Sequence, residues 1–199
     1  HFLALAVAHQ AHVLALLGAL TSRAAVPYRD PETLWLHTIA LNPECFICHT
    51  NYGRELLEKG RTEEAVAHFE RSLEIKPDAL PTLLNLAQVE EERGQLGKAV
   101  ARLQAALALD PTDVEVRTHL GALYTKEGRL EDAEREFREA LRTPSPADYL
   151  AHNGLGVVLV KTGRVAEGIA HMEECVRLRP DYETGRANLE VVLSQVRRP

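Results

Sequence analysis

Two cysteines and a histidine form the most chemically distinctive motif in the sequence, Cys45-Phe46-Ile47-Cys48-His49. This spacing is the attachment pattern for c-type haem, because the two thiols can bond the vinyl groups while the imidazole ligates iron. The same residues could also bind Zn²⁺ together with His37, form a local disulfide, or pack as two free thiols. Packed thiols are the interpretation that we favour from the sequence, and we expect the third cysteine, Cys175, in the core.

The rest of the sequence contains no catalytic pattern. The segment Gly154-Leu155-Gly156 lacks the third glycine and the preceding strand of a dinucleotide-binding fingerprint. There is no nucleophile elbow and no metalloprotease motif. Among the nine scattered histidines, we expect His68 and His171 on exposed or half-exposed turns. The sequence therefore predicts a protein that is not an enzyme and that has neither a cofactor nor a metal site.

The composition indicates a folded protein that does not bind nucleic acid. Of 199 residues, 45% are hydrophobic and 26% are charged, which leaves enough apolar side chain to form a core. The net charge of −6 argues against binding a duplex through counterion release. Three cysteines are too few for a disulfide-stabilised scaffold.

Prolines and glycines recur with a period of 34 residues. Pro43, Pro77 and Pro111 are spaced by 34, and Pro180 follows after 69 because one residue is inserted near Thr143–Pro146. Glycines follow the same period at Gly60, Gly94, Gly128 and Gly163, and small residues recur at two further positions of each period. A regular period of this length indicates an array of repeated supersecondary units.

Each period has the pattern of two helices joined by a tight turn. Gly60 provides a left-handed stop for the first helix, and Thr62 is predicted to cap the second. Gly53 faces Ala65, because two helices in a hairpin approach closely only where the side chains are small. One hairpin cannot bury its apolar face alone, so we expect successive hairpins to stack.

These columns resemble the tetratricopeptide repeat, which has an aromatic residue or leucine before a glycine, followed by alanine, phenylalanine and proline at fixed offsets. One copy of the pattern is Tyr52-Gly53, Ala65, Phe69 and Pro77, and another is Leu120-Gly121, Tyr124, Ala133, Phe137 and Ala140. The resemblance implies an all-α fold, a right-handed α-solenoid of helix-turn-helix repeats. It also implies a function in binding protein or peptide partners.

The repeat pattern divides the chain into a series of segments. We expect a half-repeat helix at residues 32–45 and a capping helix at residues 183–199. Between them lie four repeats, at residues 46–79, 80–113, 114–148 and 149–182.

The apolar N-terminus, residues 1–22, is predicted to be a helix, followed by a linker at residues 23–31. Its apolar run, residues 2–20, has the length of a membrane span, but it is interrupted by His9, Gln10 and His12, which would be costly in hydrocarbon. A buried first helix of the solenoid and a signal-peptide core are the alternatives. We expect the chain to continue upstream of His1.

The apolar helix, the linker Val26–Trp35 and the repeats that follow resemble the C-terminal end of O-mannosyltransferase-like transmembrane proteins with tetratricopeptide repeats. The resemblance implies membrane attachment, repeats outside the cytoplasm and a catalytic module upstream of this segment. Arg23 and Arg29 favour the opposite, cytoplasmic side for the repeats.

We expect a partner-binding groove along the concave wall formed by the first helices of the repeats. Amides and hydroxyls on that face suit hydrogen bonding to an extended peptide backbone. The candidate groove residues are Thr50, Asn51, Arg54, Asn85, Gln88, Thr118, His119, Asn153 and Asn188. The sequence therefore predicts an interaction scaffold, with an accessory role for a glycosyltransferase as the alternative.

Overall fold

The computed structural model describes residues 31–196. This part of the chain folds into α-helices joined by short turns and contains no strand. The all-α prediction is therefore confirmed for residues 31–196. The helices form two compact units that divide between Ala79 and Leu80.

The first unit contains one single helix and one helical hairpin. Helix α1 is Pro31–Leu41, and the hairpin consists of α2, Phe46–Glu58, and α3, Thr62–Ile75. The buried core of the hairpin includes Leu56 and Phe69, both of which are fully buried. The described part of this unit, residues 31–79, therefore forms one hairpin with a helix packed before it.

The second unit contains three hairpins and a final helix. Its helices are α4 (Leu80–Glu92), α5 (Leu96–Leu109), α6 (Val114–Glu127), α7 (Leu130–Ala140), α8 (Asp148–Lys161), α9 (Val165–Leu178) and α10 (Glu183–Val196). Helices α5 and α6 pack together, as do α7 and α8 and also α9 and α10, so the hairpins stack on their neighbours. Stacking buries apolar faces that a single hairpin would leave exposed.

The four hairpin turns have the same backbone geometry. Gly60 has a φ of +75°, in the left-handed region, and the three equivalent glycines have φ values from +71° to +86°. The residue after the glycine then bonds back to the first helix, as Arg61 N–H does to the Leu56 carbonyl at 2.8 Å. This bond satisfies a carbonyl that the helix end would leave unpaired. The predicted glycine stops are confirmed.

The predicted cap at Thr62 is wrong. Arg61 occupies the N-cap position of α3, its side chain makes no capping bond, and Thr62 is the first helical residue. Because the turn is tight, Arg61, the residue directly after the glycine, occupies the helix boundary. Thr62 lies one position further along the chain, inside the helix. In contrast, Asp113 caps α6 by accepting bonds from the backbone N–H groups of Glu115 and Val116 at 3.0 Å.

Small residues allow the paired helices to approach, as the sequence predicted. A Cβ atom on Gly53 would lie 2.6 Å from the Phe69 ring, and one on Gly121 would lie 2.9 Å from the Phe137 ring. Real Cβ atoms do not come this close to a neighbour, so each glycine provides the space that the phenylalanine occupies. The pairs Gly53–Phe69 and Gly121–Phe137 therefore close their hairpins in the same way.

A network of charges joins α1 to the hairpin of the first unit. The Glu32 carboxylate accepts bonds from Lys59 Nζ at 2.8 Å, from Arg61 Nη1 at 2.6 Å and from the Tyr52 hydroxyl at 3.0 Å. The bonds from Lys59, Arg61 and Tyr52 lower the Glu32 pKa to about 2. Glu32 therefore stays ionised at any physiological pH.

Within residues 31–196, no helix combines the length and the hydropathy needed to cross a bilayer. The predicted apolar helix at residues 1–22 lies outside the described residues, as does the predicted linker up to Asp30. The capping helix predicted at the other end corresponds to α10, which is described up to Val196.

Candidate functional site

The first helices of the second unit are α4, α6, α8 and α10, and side chains bond from α6 to α4 and from α10 to α8. His119 on α6 bonds the Glu91 carboxylate on α4 at 2.5 Å. Asn188 on α10 donates from its amide nitrogen to the Asn153 side-chain oxygen on α8 at 3.0 Å. We call this surface, formed by α4, α6, α8 and α10, the first-helix wall.

A cavity of about 540 Å³ opens in the first-helix wall between α6 and α8. We call it the α6–α8 pocket. Its lining combines apolar, aromatic and polar side chains: Glu115, Thr118, His119, Ala122, Phe137, Ala147, Tyr149, Leu150, Asn153, Gly154 and Tyr182. Pockets that bind side chains or small molecules have this composition, a mostly apolar surface with a few converging polar groups.

The α6–α8 pocket opens where one repeat has a glycine at a position that is asparagine or histidine in the other repeats. At spacings of 34, 34, 35 and 34 residues, this column contains Asn51, Asn85, His119, Gly154 and Asn188. A Cβ atom on Gly154 would lie 2.3 Å from Phe137 Cζ. The ring of Phe137 therefore reaches the space that a side chain at position 154 would fill, and it lines the pocket.

The α6–α8 pocket contains a polar group with no bonding partner. Thr118 is 8% exposed, and its hydroxyl oxygen is buried without a hydrogen bond. A buried hydroxyl that lacks a partner costs free energy, which a ligand that bonds to it would recover. Asn153 presents a second polar side chain in the lining, oriented by its bond from Asn188.

Two tyrosines form the other side of the α6–α8 pocket. The rings of Tyr149 and Tyr182 meet edge to face, with centroids 5.1 Å apart. The guanidinium of Arg179 lies over the Tyr149 ring at 4.5 Å. These contacts hold the aromatic side of the pocket in place, because edge-to-face and cation–π arrangements both fix the orientation of a ring.

The opposite rim of the α6–α8 pocket is acidic. Glu115 is exposed, and its side chain lines this pocket and also a neighbouring cavity between α4 and α6. Glu91 is already neutralised, because Lys126 and His119 both bond it. Burial alone would raise the Glu91 pKa, but the bonds from Lys126 and His119 outweigh burial and lower it. Glu115 therefore remains as the carboxylate that faces a ligand.

The smaller cavity between α4 and α6 has a volume of about 310 Å³. Gln88 lines it and donates to Glu92 at 3.0 Å within the same helix. Asn85, one turn earlier on α4, is half-buried. Six of the candidate groove residues lie in this unit. Three of them line the α6–α8 pocket: Thr118, His119 and Asn153. Asn188 on α10 bonds to the Asn153 side chain.

The three candidate groove residues of the first unit do not share one environment. Asn51 and Arg54 line a cavity of about 600 Å³ beside Trp35. Thr50 does not lie on an open wall, because it is 7% exposed and its hydroxyl lies 2.9 Å from the Ser72 hydroxyl on α3. The sequence prediction placed Thr50 in the groove from its position on its own helix. It did not take into account Ser72 on the second helix, which holds the Thr50 hydroxyl inside the hairpin.

The Cys45–Cys48 motif forms a disulfide bond. The packed-thiol interpretation is therefore wrong, and the local disulfide, one of the alternatives, is the arrangement found. The sulfurs are bonded to each other, and both His49 ring nitrogens are engaged: Nδ1 with His68 at 2.9 Å and Nε2 with the Pro43 carbonyl at 3.2 Å. This geometry does not fit haem attachment, which requires both sulfurs and a ring nitrogen.

Cys175 is fully buried, which confirms its predicted core position, and burial raises the pKa of its thiol. His37, the proposed additional zinc ligand, lies exposed on α1. No three His, Cys, Asp or Glu side chains within residues 31–196 form a group suited to holding a metal ion.

Two pairs of histidines were missed at the sequence level. His49 and His68 bond through their Nδ1 atoms at 2.9 Å, and His152 and His171 bond in the same way at 2.9 Å. His68 and His171 are half-buried in their second helices, which agrees with the half-exposed positions expected for them, and only their pairing was missed. The signal was present, because both pairs have the same separation of 19 residues.

The fold and its wall define an array of paired antiparallel helices, a class of protein that binds its partners over extended surfaces. Tetratricopeptide repeat models match residues 56–105, 90–143 and 121–183. Together these matches span residues 56–183, more than half of the chain. The chain belongs to the tetratricopeptide repeat family.

Solved structures of tetratricopeptide-like proteins are similar to this one. pilF of Pseudomonas aeruginosa is 23% identical, with a TM-score of 0.68 over 78% of this chain and 70% of its own. MamA is 20% identical, with a TM-score of 0.66 over 72% of this chain and 84% of its own. A double mutant of MamA RS-1 ArsTM is also 20% identical, with a TM-score of 0.69 over 85% of this chain and 96% of its own. These similarities show the fold, and no curated protein sequence matches the chain significantly.

Proposed function

We propose that the protein is a non-catalytic scaffold that binds an extended segment of a protein partner along the first-helix wall, with the α6–α8 pocket as the anchor. The observation that supports this most strongly is one cavity that combines the half-buried rings of Tyr149 and Tyr182 with the unpartnered Thr118 hydroxyl. An apolar side chain of the partner would pack against Tyr149 and Tyr182. A backbone or side-chain group next to it would bond the hydroxyl.

The charge of the rim indicates which partner sequence suits the pocket. Glu115 offers an exposed carboxylate, and Asp113 lies beside it in the neighbouring cavity. A lysine or arginine next to the apolar side chain of the partner would therefore find a complementary charge. Charge of this kind contributes more to selectivity and association rate than to affinity.

Modest affinity spread over the wall is expected. Burying one leucine side chain contributes about 2 kcal/mol, and each additional hydrogen bond adds about 1 kcal/mol. Ordering the peptide offsets part of this gain. Micromolar binding would therefore require contacts at the α6–α8 pocket and at further positions along the wall.

A peptide array tests the proposal. The protein would be probed against 12-residue peptides in which one position is apolar and the next is lysine, serine or glutamate. We expect the strongest signals where leucine, methionine or phenylalanine precedes lysine. Ala122→Leu should fill the pocket and reduce those signals about tenfold, equivalent to about 1.4 kcal/mol.

Matched variants separate the pocket from general surface effects. Ala101 is exposed on α5, so Ala101→Leu adds the same side chain outside the wall. Glu115→Lys should reverse the preference for lysine, while Glu131→Lys on the first turn of α7 should not. Equal signals for the Ala122→Leu and Ala101→Leu variants would contradict the proposal.

We also propose that residues 2–20 attach the protein to a membrane and that the repeats face an oxidising compartment outside the cytoplasm. The apolar run supports the first statement, and the Cys45–Cys48 disulfide supports the second, since such bonds persist in oxidising compartments. Protease added to intact spheroplasts should digest the repeats. Protection until the membrane is lysed would contradict this orientation.

An accessory role for a glycosyltransferase is the alternative proposal. It rests on the resemblance of the N-terminal run and linker to O-mannosyltransferase-like membrane proteins. In that case the first-helix wall would hold the acceptor protein for a catalytic module upstream of His1. A gene that encodes several spans with an acidic loop before this segment would support it, and a gene with a single short anchor would contradict it.

A further inference from the structure

The disulfide at the start of α2 has one accessible sulfur and one protected sulfur. Cys45 is half-buried at the N-cap position, whereas Cys48 is 6% exposed in the first turn. We therefore expect an incoming thiolate to attack the more exposed Cys45 in preference to Cys48. Exchange at a disulfide depends on which sulfur is open to attack. The difference in exposure therefore favours attack on Cys45 with Cys48 as the leaving group.

The start of the helix stabilises negative charge on Cys45. The sulfur of Cys45 accepts the backbone N–H of Cys48 at 3.3 Å. Free N–H groups and the positive end of the helix dipole both favour an anion at this position. A Cys45 thiolate would consequently be a good leaving group, as thiolates at helix starts are.

Exposed apolar side chains flank the disulfide. Leu41, the last residue of α1, is 75% exposed, and Ile47, in the first turn of α2, is 55% exposed. Among residues 31–79, they are the two most exposed large hydrophobic residues. A peptide that carries thiols could pack its own apolar residues on Leu41 and Ile47 while its sulfur reaches Cys45.

A purely structural role is a poor explanation for this bond. A disulfide stabilises a fold mainly by closing a loop in the unfolded chain, and the effect is smallest for the shortest loops. Here the bond joins residues only three positions apart. Helix α2 also continues to Glu58 with its own backbone bonds, so its length does not depend on the disulfide.

We propose that Cys45 and Cys48 form a thiol–disulfide exchange site that oxidises dithiols in peptides or proteins. A substrate thiolate attacks the Cys45 sulfur, the Cys45–Cys48 bond breaks, and Cys48 leaves and takes up a proton. The second substrate thiol loses its proton and attacks the substrate sulfur in the mixed disulfide, expelling Cys45 as a thiolate. The substrate becomes a disulfide, and two electrons pass to the Cys45–Cys48 pair.

The first test compares two single-cysteine variants of the full chain. In Cys48→Ser the accessible Cys45 remains, and in Cys45→Ser the protected Cys48 remains. Each protein is mixed with glutathione disulfide at pH 6, and mass spectrometry of the corresponding peptide follows the mixed disulfide. We expect Cys45 to react at least tenfold faster in the folded protein than in guanidinium, and Cys48 to react at least tenfold more slowly than Cys45.

The second test measures turnover. The oxidised wild-type protein, with glutathione disulfide as the terminal oxidant, should accelerate disulfide formation in a reduced peptide with two cysteines. Cys45→Ser should abolish the acceleration, and Cys175→Ala should leave it unchanged because that thiol is fully buried. The proposal is overturned if Cys45 reacts no faster folded than unfolded, if Cys48 reacts as fast as Cys45, or if the wild type gives no acceleration.

Discussion

The hairpins α2–α3 and α6–α7 place different chemistry at the same interhelical contact. In the first hairpin, His49 on one helix meets His68 on the other. In the second, Arg117 meets Glu136 at 2.8 Å, again 19 residues apart. Both hairpins close over a phenylalanine beneath a glycine, so the packing is shared and only the polar pair differs.

The charged pair is largely buried and fully bonded. The side chains of Arg117 and Glu136 are 16% and 10% exposed. Arg117 also donates to the Pro111 carbonyl at 2.6 Å. This contact therefore joins a guanidinium to a carboxylate and contains no imidazole.

The histidine pairs respond to acid. One ring must donate and the other must accept along the Nδ1···Nδ1 line, so both rings cannot be doubly protonated. Burial, together with the charge of His49, lowers the pKa of His68 below its usual value. The neutral pair therefore stabilises the fold above about pH 6.5, and this contribution is lost as the pH falls through the lowered pKa.

The second histidine pair follows the same rule with more charges around it. Burial lowers the pKa of His152 and, together with the charge of His152, that of His171. The carboxylates of Glu174 and Asp148 act in the opposite direction on His152. The other charged groups that act on these rings are Arg138, Glu167 and Arg177. The same repeat position therefore accepts either an arginine–glutamate pair or a pair of histidines.

The largest expected effect comes from breaking the charged pair. Arg117→Ala leaves the buried Glu136 with only its 3.5 Å contact to the largely exposed Arg135, which should reduce the free energy of unfolding by about 3 kcal/mol. Arg142→Ala, which removes a 75% exposed arginine that pairs with Glu139, serves as the control. Urea unfolding at pH 7.5 measures both variants. If the loss of stability for Arg117→Ala is no larger than that of the control, the prediction that the Arg117–Glu136 pair stabilises the fold is wrong.

A test of the shared packing follows. Gly53→Leu and Gly121→Leu should each overpack a phenylalanine and cost about 1–3 kcal/mol from the steric effect. The two losses should be similar, because both glycines lie against an equivalent ring. Thermal melting of either variant at the wild-type temperature would contradict the repeat register.

A histidine pair placed in the second hairpin should transfer the acid response. Arg117→His combined with Glu136→His is expected to lower stability by about 1 kcal/mol between pH 7.5 and pH 5.5, relative to the wild type. The measurement is the midpoint of urea unfolding at each pH. An unchanged difference between the two pH values would show that the contact does not determine the response.

The reverse exchange has the smallest expected effect. His152→Arg combined with His171→Glu should remove part of the acid sensitivity of the second unit. The gain at pH 5.5 should stay below about 1 kcal/mol, since these rings are half exposed and solvent screens them. Chemical shifts of the remaining histidines, followed from pH 8 to pH 5, report whether the other pair titrates as before. A stability curve as steep as that of the wild type would contradict this prediction.

The sequence predicted the features that depend on one residue type at a fixed spacing. Left-handed turns need glycine, so Gly60 and its equivalents were found from their period alone. Close helix crossings need small residues, so Gly53 and Gly121 were placed correctly. The all-α repeat fold follows from these constraints, and the repeat models confirm it.

Features that depend on partners from another helix were not predicted. Thr50 has a partner on α3 that its own helix pattern does not reveal. The pocket at Gly154 depends on the ring of Phe137, which comes from a different hairpin. The Cys45–Cys48 disulfide stayed open among the alternatives, because spacing permits bridging without requiring it.

Side-chain amide resonances of the isotope-labelled protein test peptide binding at the α6–α8 pocket most directly. The peptide with the strongest array signal would be titrated while the amides of Asn153, Asn188 and Gln104 are followed. We predict saturable shifts for Asn153 and Asn188 and none for Gln104, which bonds Tyr124 from α5 at 2.8 Å. Shifts at Gln104 with unchanged Asn153 and Asn188 would contradict the account.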